Sequence, residues 1–98
     1  MSYASITVAE GLTMADYDAV DEHLGPGRAD GLLIEAAGCG EGGLYVITLW
    51  ESKAEHERFI AQRLVPAFRA ANLQPGPMSF TGVDVEALYQ RAAEPATP

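Results

Sequence analysis

The sequence predicts an α+β fold in the order strand, helix, strand, strand, helix, strand, with four antiparallel strands in one sheet and both helices on one face. Three observations lead there. Two helix starts are written out as capping signatures, Thr13-Met14-Ala15-Asp16 and Ser52-Lys53-Ala54-Glu55, each pairing a hydroxyl with a carboxylate three residues on. Two apolar strands, Gly31 to Ala37 and Leu44 to Trp50, flank a glycine-rich turn. Each helix is bracketed by strands, and right-handed crossovers then place both on the same face.

The elements follow in order. From Tyr3 to Val8 the chain alternates, with Ala4, Ile6 and Val8 on one face and Tyr3, Ser5 and Thr7 on the other, so this segment is a strand. Gly11 ends it. The first helix is expected to begin at Thr13, with Leu12 and Tyr17 as a hydrophobic staple. It carries an apolar stripe of Met14, Tyr17, Val20 and Leu24, turns Asp16, Asp18 and Glu22 to solvent, and stops at Gly25-Pro26-Gly27. In the second strand only Glu35 interrupts the apolar run. The turn Gly38 to Gly43 reverses the chain and holds the single cysteine, Cys39.

In the third strand Leu44, Val46 and Trp50 alternate with Tyr45, Ile47 and Leu49, so neither face is polar and both need cover. The second helix presents Phe59, Ile60, Leu64, Val65 and Phe68, and Pro66 predicts a kink or a restart within it. Met78 to Leu88 is the last strand, with a bulge expected at Gly82. Residues 1–90 then form one ferredoxin-like domain, and 91–98, which have no periodicity, a flexible tail. Two helices cover one sheet face only. The other, apolar on the second and third strands, would leave several hundred Å² of exposed apolar surface, and the expectation is a homodimer packed sheet to sheet.

Composition excludes several partners. With a net charge of −8 and one lysine in 98 residues, the chain repels a phosphate backbone, so nucleic acid is not expected. No apolar run reaches the roughly 20 residues a membrane span needs, and no basic segment leads into an apolar core at the N-terminus. A cytoplasmic location with no membrane partner is the expectation. Cys39 alone builds neither a disulfide nor a thiolate metal site. The glycine-rich turn joins two strands rather than opening a helix, so it is no nucleotide fingerprint.

Gly31-Leu32-Leu33-Ile34, Gly43-Leu44-Tyr45-Val46, Leu49-Trp50-Glu51-Ser52, Phe59 and Arg63-Leu64-Val65-Pro66, in this element order, resemble the dimeric α/β-barrel superfamily. Within it the chain is most similar to the antibiotic biosynthesis monooxygenase domain, over roughly Tyr3 to Tyr89. The resemblance implies a dimeric α/β barrel and, in each subunit, a ligand pocket between the sheet and its own helices. It also implies chemistry without metal or cofactor, in which a deprotonated phenol supplies the electrons to molecular oxygen. Such a site needs an apolar pocket, a hydrogen-bonding group for the phenolate and a base. Related barrels often carry Glu two residues before the Trp and His at the position of Phe59; here these are Thr48 and Phe59. Glu35 stands where similar sequences often have His.

The candidate pocket residues are Tyr17, Thr48, Trp50, Phe59 and Phe80. Trp50 offers a wall and one indole hydrogen bond, or serves as core; Thr48 shares its strand face and adds a hydroxyl. His23 and His56 are the side chains whose ordinary pKa lies near neutrality. Of the two, His23, at the end of the first helix, is the expected base, and His56, between Glu55 and Glu57, the solvated one. Glu35 is either a site carboxylate or the partner of an arginine across the dimer. Arg63 can orient an anionic substrate or form a surface ion pair.

The leading expectation is a cofactor-independent monooxygenase-like enzyme acting on a small aromatic or polyketide-type metabolite, with Trp50 and either His23 or Glu35 carrying the chemistry. The alternatives are a non-catalytic small-ligand-binding or accessory protein, and a polyketide cyclase or isomerase in the same pocket.

Overall fold

The computed structural model describes residues 2–24, 29–74 and 76–91. The strands are β1 (Tyr3–Glu10), β2 (Leu32–Gly40), β3 (Gly43–Trp50) and β4 (Met78–Asp84). The helices are α1 (Met14–Glu22), α2 (Lys53–Phe59) and α3 (Val65–Ala70), the last two joined by a π-helical turn, Ile60–Leu64. All strand pairs are antiparallel, in the order β2-β3-β1-β4, which is the ferredoxin-like arrangement expected.

The capping chemistry behaves largely as written in the sequence. Thr13 and Asp16 form the full reciprocal box, each side chain taking the other's backbone N–H at 3.3 and 2.9 Å. Ser52 accepts the Glu55 N–H at 3.2 Å, while the Glu55 carboxylate lies 3.5 Å from the Ser52 hydroxyl, so the second box closes on one side. Helix α1 ends at Glu22 with His23 as its C-cap, two residues short of the expected end at Leu24; the expected stop at 25–27 lies outside the described residues. Asp16 is half-buried rather than turned to solvent, and Met14, on the expected apolar stripe, is exposed.

Two turns differ from expectation. Strand β2 runs on through Gly38, Cys39 and Gly40, and Glu41-Gly42 alone closes the hairpin. Gly42 and Gly43 take φ +91° and +147°, which a side chain resists, so these two glycines suffice where six turn residues were expected. Cys39 therefore stands exposed on a strand, not in a loop. Gly82 keeps regular register opposite Ser5, without a bulge; a side chain there would strike the Tyr3 hydroxyl. The irregularity falls in β2, where Leu33 is the extra residue between Leu32 and Ile34.

At Pro66 the helix restarts as expected, with the proline in the first turn of α3 after the π-helical turn. Proline cannot donate to the carbonyl four residues back and its ring crowds it. The chain answers with the π turn just before it, where the Val65 N–H reaches Ile60. This widened turn keeps Phe59, Ile60, Leu64 and Phe68 aimed at the sheet, while Val65 is exposed.

Register sorts the sheet into two faces. Toward the helices lie Leu44, Val46, Thr48 and Trp50 of β3, beside Tyr3, Ser5, Thr7 and Ala9 of β1. The opposite face carries two cross-strand rows, Ala36–Ile47–Ile6–Thr81 and Ile34–Leu49–Ala4–Val83. Strand β1 thus turns its more apolar side away from the helices. Ile6, Ile47 and Val83 are 44, 49 and 57% exposed.

Candidate functional site

Between the helices and the inner sheet face is a partly open pocket of about 90 Å³. Leu44, Val46, Trp50, Phe59, Ile60 and Phe68 make it mainly apolar. Its position follows from the fold. Strand β3 contributes every second residue from Leu44 to Trp50, and the π turn brings Ile60 and Leu64 over them.

One end is polar. Glu35 and Thr48 are register partners on β2 and β3, so their side chains leave the same face side by side. The Tyr17 hydroxyl on α1 donates to Glu35 Oε1 at 2.7 Å. Trp50 Nε1 donates to Thr48 Oγ1 at 2.8 Å. The indole N–H is thereby engaged by the protein, and Thr48 keeps its own proton to donate. This replaces the expected role of Trp50 as donor to a ligand with one as wall and as partner of Thr48.

Trp50, 1% exposed, stacks at 5.2 Å between ring centroids on both Phe59 and His56. Tyr3 packs on the other side of His56 at 5.6 Å. His56 is 7% exposed and lines the cavity, and burial pushes its pKa below the ordinary 6.5 against the opposing pull of Glu57. The imidazole is therefore neutral near pH 7.

Of the residues singled out from sequence, Tyr17, Glu35, Thr48, Trp50, Phe59 and Phe80 line the cavity. Two do not. His23 is exposed at the C-cap of α1, where the helix turns it out of the cavity. Arg63 donates through Nη2 to the Leu24 carbonyl, tying the π turn to the end of α1. Among the described residues it forms no ion pair and does not line the pocket. His56 is the residue missed. Its signal was its spacing, three residues before Phe59 and four before Ile60, which puts it on the same helical stripe. Among the described residues no group of three His, Cys, Asp or Glu side chains is placed to hold a metal ion.

No family model and no curated protein matches the sequence. Solved structures do. A Chloroflexus aurantiacus J-10-fl protein provisionally described as an antibiotic biosynthesis monooxygenase is 13% identical with a TM-score of 0.63, the match covering 92% of this chain and 98% of that one. The monooxygenase from the gene ActVA-Orf6 of Streptomyces coelicolor, solved with nanaomycin D, is 16% identical with a TM-score of 0.59, covering 93% and 92%. SnoaB of Streptomyces nogalater, a cofactor-independent oxygenase, is 13% identical with a TM-score of 0.57, covering 89% and 94%. At these identities the likeness establishes architecture, and over nearly its whole length the chain has the fold of the antibiotic biosynthesis monooxygenase domain.

Proposed function

We propose that the protein is a cofactor-independent oxygenase of a small phenolic metabolite, acting as a cytoplasmic homodimer packed through the bare sheet faces. The observation that carries this reading is the Tyr17–Glu35 pair set at the polar end of an otherwise apolar pocket. A carboxylate held by a tyrosine hydroxyl, beside the Thr48 hydroxyl, is placed to take the proton of a bound phenol, while Thr48 donates to the oxygen left behind. The phenolate then supplies electrons to molecular oxygen. One oxygen atom enters the ring in place of a hydrogen, the other leaves as water with the two hydrogens lost, and the product is a quinone.

Architecture supports the reading, since the neighbours of this fold include SnoaB, described as a cofactor-independent oxygenase, and the ActVA-Orf6 monooxygenase in complex with nanaomycin D. The dimer is supported by Ile6, Ile34, Ile47 and Val83, which a lone subunit leaves in water.

The test is oxygen consumption with phenolic substrates. Glu35→Gln keeps the shape and the Tyr17 contact but removes the base, and the rate is expected to fall at least about 100-fold, the usual contribution of a positioned base. A second reading, ligand binding without turnover, draws on Thr48 and Phe59, which stand where related barrels often carry Glu and His. Tight binding with no oxygen uptake would favour it. Turnover unchanged under argon would point to a cyclase or isomerase instead.

A further inference from the structure

Oxidising a phenol to a quinone, the reaction on which this inference rests, removes two hydrogens. One leaves the hydroxyl, and Glu35, holding the Tyr17 hydroxyl, is placed for it. The other leaves the ring carbon that receives oxygen, and taking it needs a lone pair beside the ring.

Among the described residues, the titratable side chains lining the pocket are Asp16, Tyr17, Asp21, Glu35 and His56. Asp16 is engaged in the cap of α1 with Thr13, Tyr17 donates to Glu35, and Asp21 is exposed. His56 is left. It enters from α2, packs on Trp50 at 5.2 Å and on Tyr3 at 5.6 Å, and is 7% exposed.

These contacts hold the ring without using its nitrogens. Among the described residues no group hydrogen-bonds the imidazole. The buried side-chain polar atom left without a partner among them is Ser5 Oγ, so the unpartnered His56 nitrogens keep accessible surface, and the space their ring lines is the pocket. Burial keeps the ring neutral near pH 7 against the pull of Glu57, the charge beside it on α2. A neutral imidazole offers one N–H and one lone pair. Trp50 links this group to the hydroxyl end, giving its indole N–H to Thr48 while packing on His56.

We propose that His56 is a second catalytic base, whose ring nitrogen removes the hydrogen from the ring carbon that has taken up oxygen. Phenolate and molecular oxygen first join through a new C–O bond, and the phenol's proton passes from Glu35 to the terminal oxygen. His56 then takes the proton of that carbon. The C–H electron pair completes the carbonyl of the quinone, the O–O bond breaks, and hydroxide leaves. The imidazolium returns its proton to the hydroxide, giving water. The carbon loses two electrons and the O–O bond gains them, so oxygen is the only oxidant.

The experiment compares the unaltered protein with His56→Gln, using 1-naphthol with hydrogen or deuterium on its ring carbons. The variant is expected to lose at least about 100-fold in kcat, the usual contribution of a positioned base. Its Kd for 1-naphthol, measured under argon, should change by less than about tenfold. Deuterium should slow the variant more than the unaltered protein, because removal of the ring hydrogen becomes its slowest step. His56→Ala should regain turnover when imidazole is added. Binding of 1-naphthol to the unaltered protein under argon should also shift the His56 ring-nitrogen NMR signals, a readout that holds even if the variants fail to fold. Unmoved signals on binding, a folded His56→Gln that keeps its kcat, or one that loses binding in step with turnover overturns the inference. Absence of oxygen uptake by the unaltered protein removes the oxygenase reading and this role together, whereas uptake that persists in His56→Gln overturns the role alone.

Discussion

The two faces of the sheet are built from the same four strands and carry opposite chemistry. The face under the helices holds Glu35, Thr48 and Ser5 in one cross-strand row, with Thr7 beyond it. The face without helices holds Ile34, Ile47, Ile6 and Val83. Helix cover is ordinarily what an apolar face seeks, and here β1 gives its isoleucine to the uncovered side. The difference separates two jobs. Glu35 and Thr48 are tolerated under the helices because Tyr17 and Trp50 hydrogen-bond them beside the pocket, while the apolar bare face is the one the proposed dimer would cover.

The largest expected effect is on the inner face. Trp50→Ala removes a side chain that is 1% exposed and stacked on two rings, and should cost about 3–5 kcal/mol of unfolding free energy by urea titration. A loss under about 1 kcal/mol would mean that the inner face is not the core. On the outer face, Ile47→Asp should leave subunit stability nearly unchanged, because the residue is half exposed, yet abolish the proposed dimer in sedimentation at micromolar concentration. If both substitutions acted alike, the distinction between the faces would fail.

A smaller effect concerns His56. Its folded pKa lies below the unfolded value near 6.5, so the unfolded chain binds more protons as pH falls through that window. Stability is therefore full above the unfolded value and declines as pH drops from there toward the lower folded value. His56→Gln should flatten this slope in thermal melts. The smallest effect is at Ser5, whose hydroxyl is buried with no partner among the described groups. Ser5→Ala is expected to raise stability by up to about 1 kcal/mol, since nothing is lost in exchange for the desolvation relieved. Destabilisation there would reveal a hydrogen bond that holds the polar row together.

Much of this was legible in the residues. Thr13 and Ser52 announced the helix starts because an N-cap is a local bargain between one side chain and one backbone N–H. The strands announced themselves by alternation, and β3, apolar on both sides, announced two covers. Six of the eight site candidates came to one cavity because strand parity and helix period are short-range rules. The failures share a cause. His23 was chosen over His56 by their neighbours in the chain, but what decides burial is the partner in space, and Trp50, ending the strand before the helix, and Tyr3 of β1 pack against His56. The hairpin is shorter than its glycines suggest because Gly42 and Gly43 between them provide the needed φ values.

By itself the sequence determined the order of elements, their caps and which residues could share a face, since these depend on contacts a few residues apart. Only the tertiary structure decided which face of β1 meets the helices, how Pro66 is accommodated, and that the Trp50 indole is engaged by Thr48 while Glu35 takes the Tyr17 hydroxyl. The Tyr17–Glu35 contact joins residues 18 apart, and the Trp50–Thr48 bond and the π turn, though local, depend on side-chain orientation and helix packing that sequence spacing does not specify.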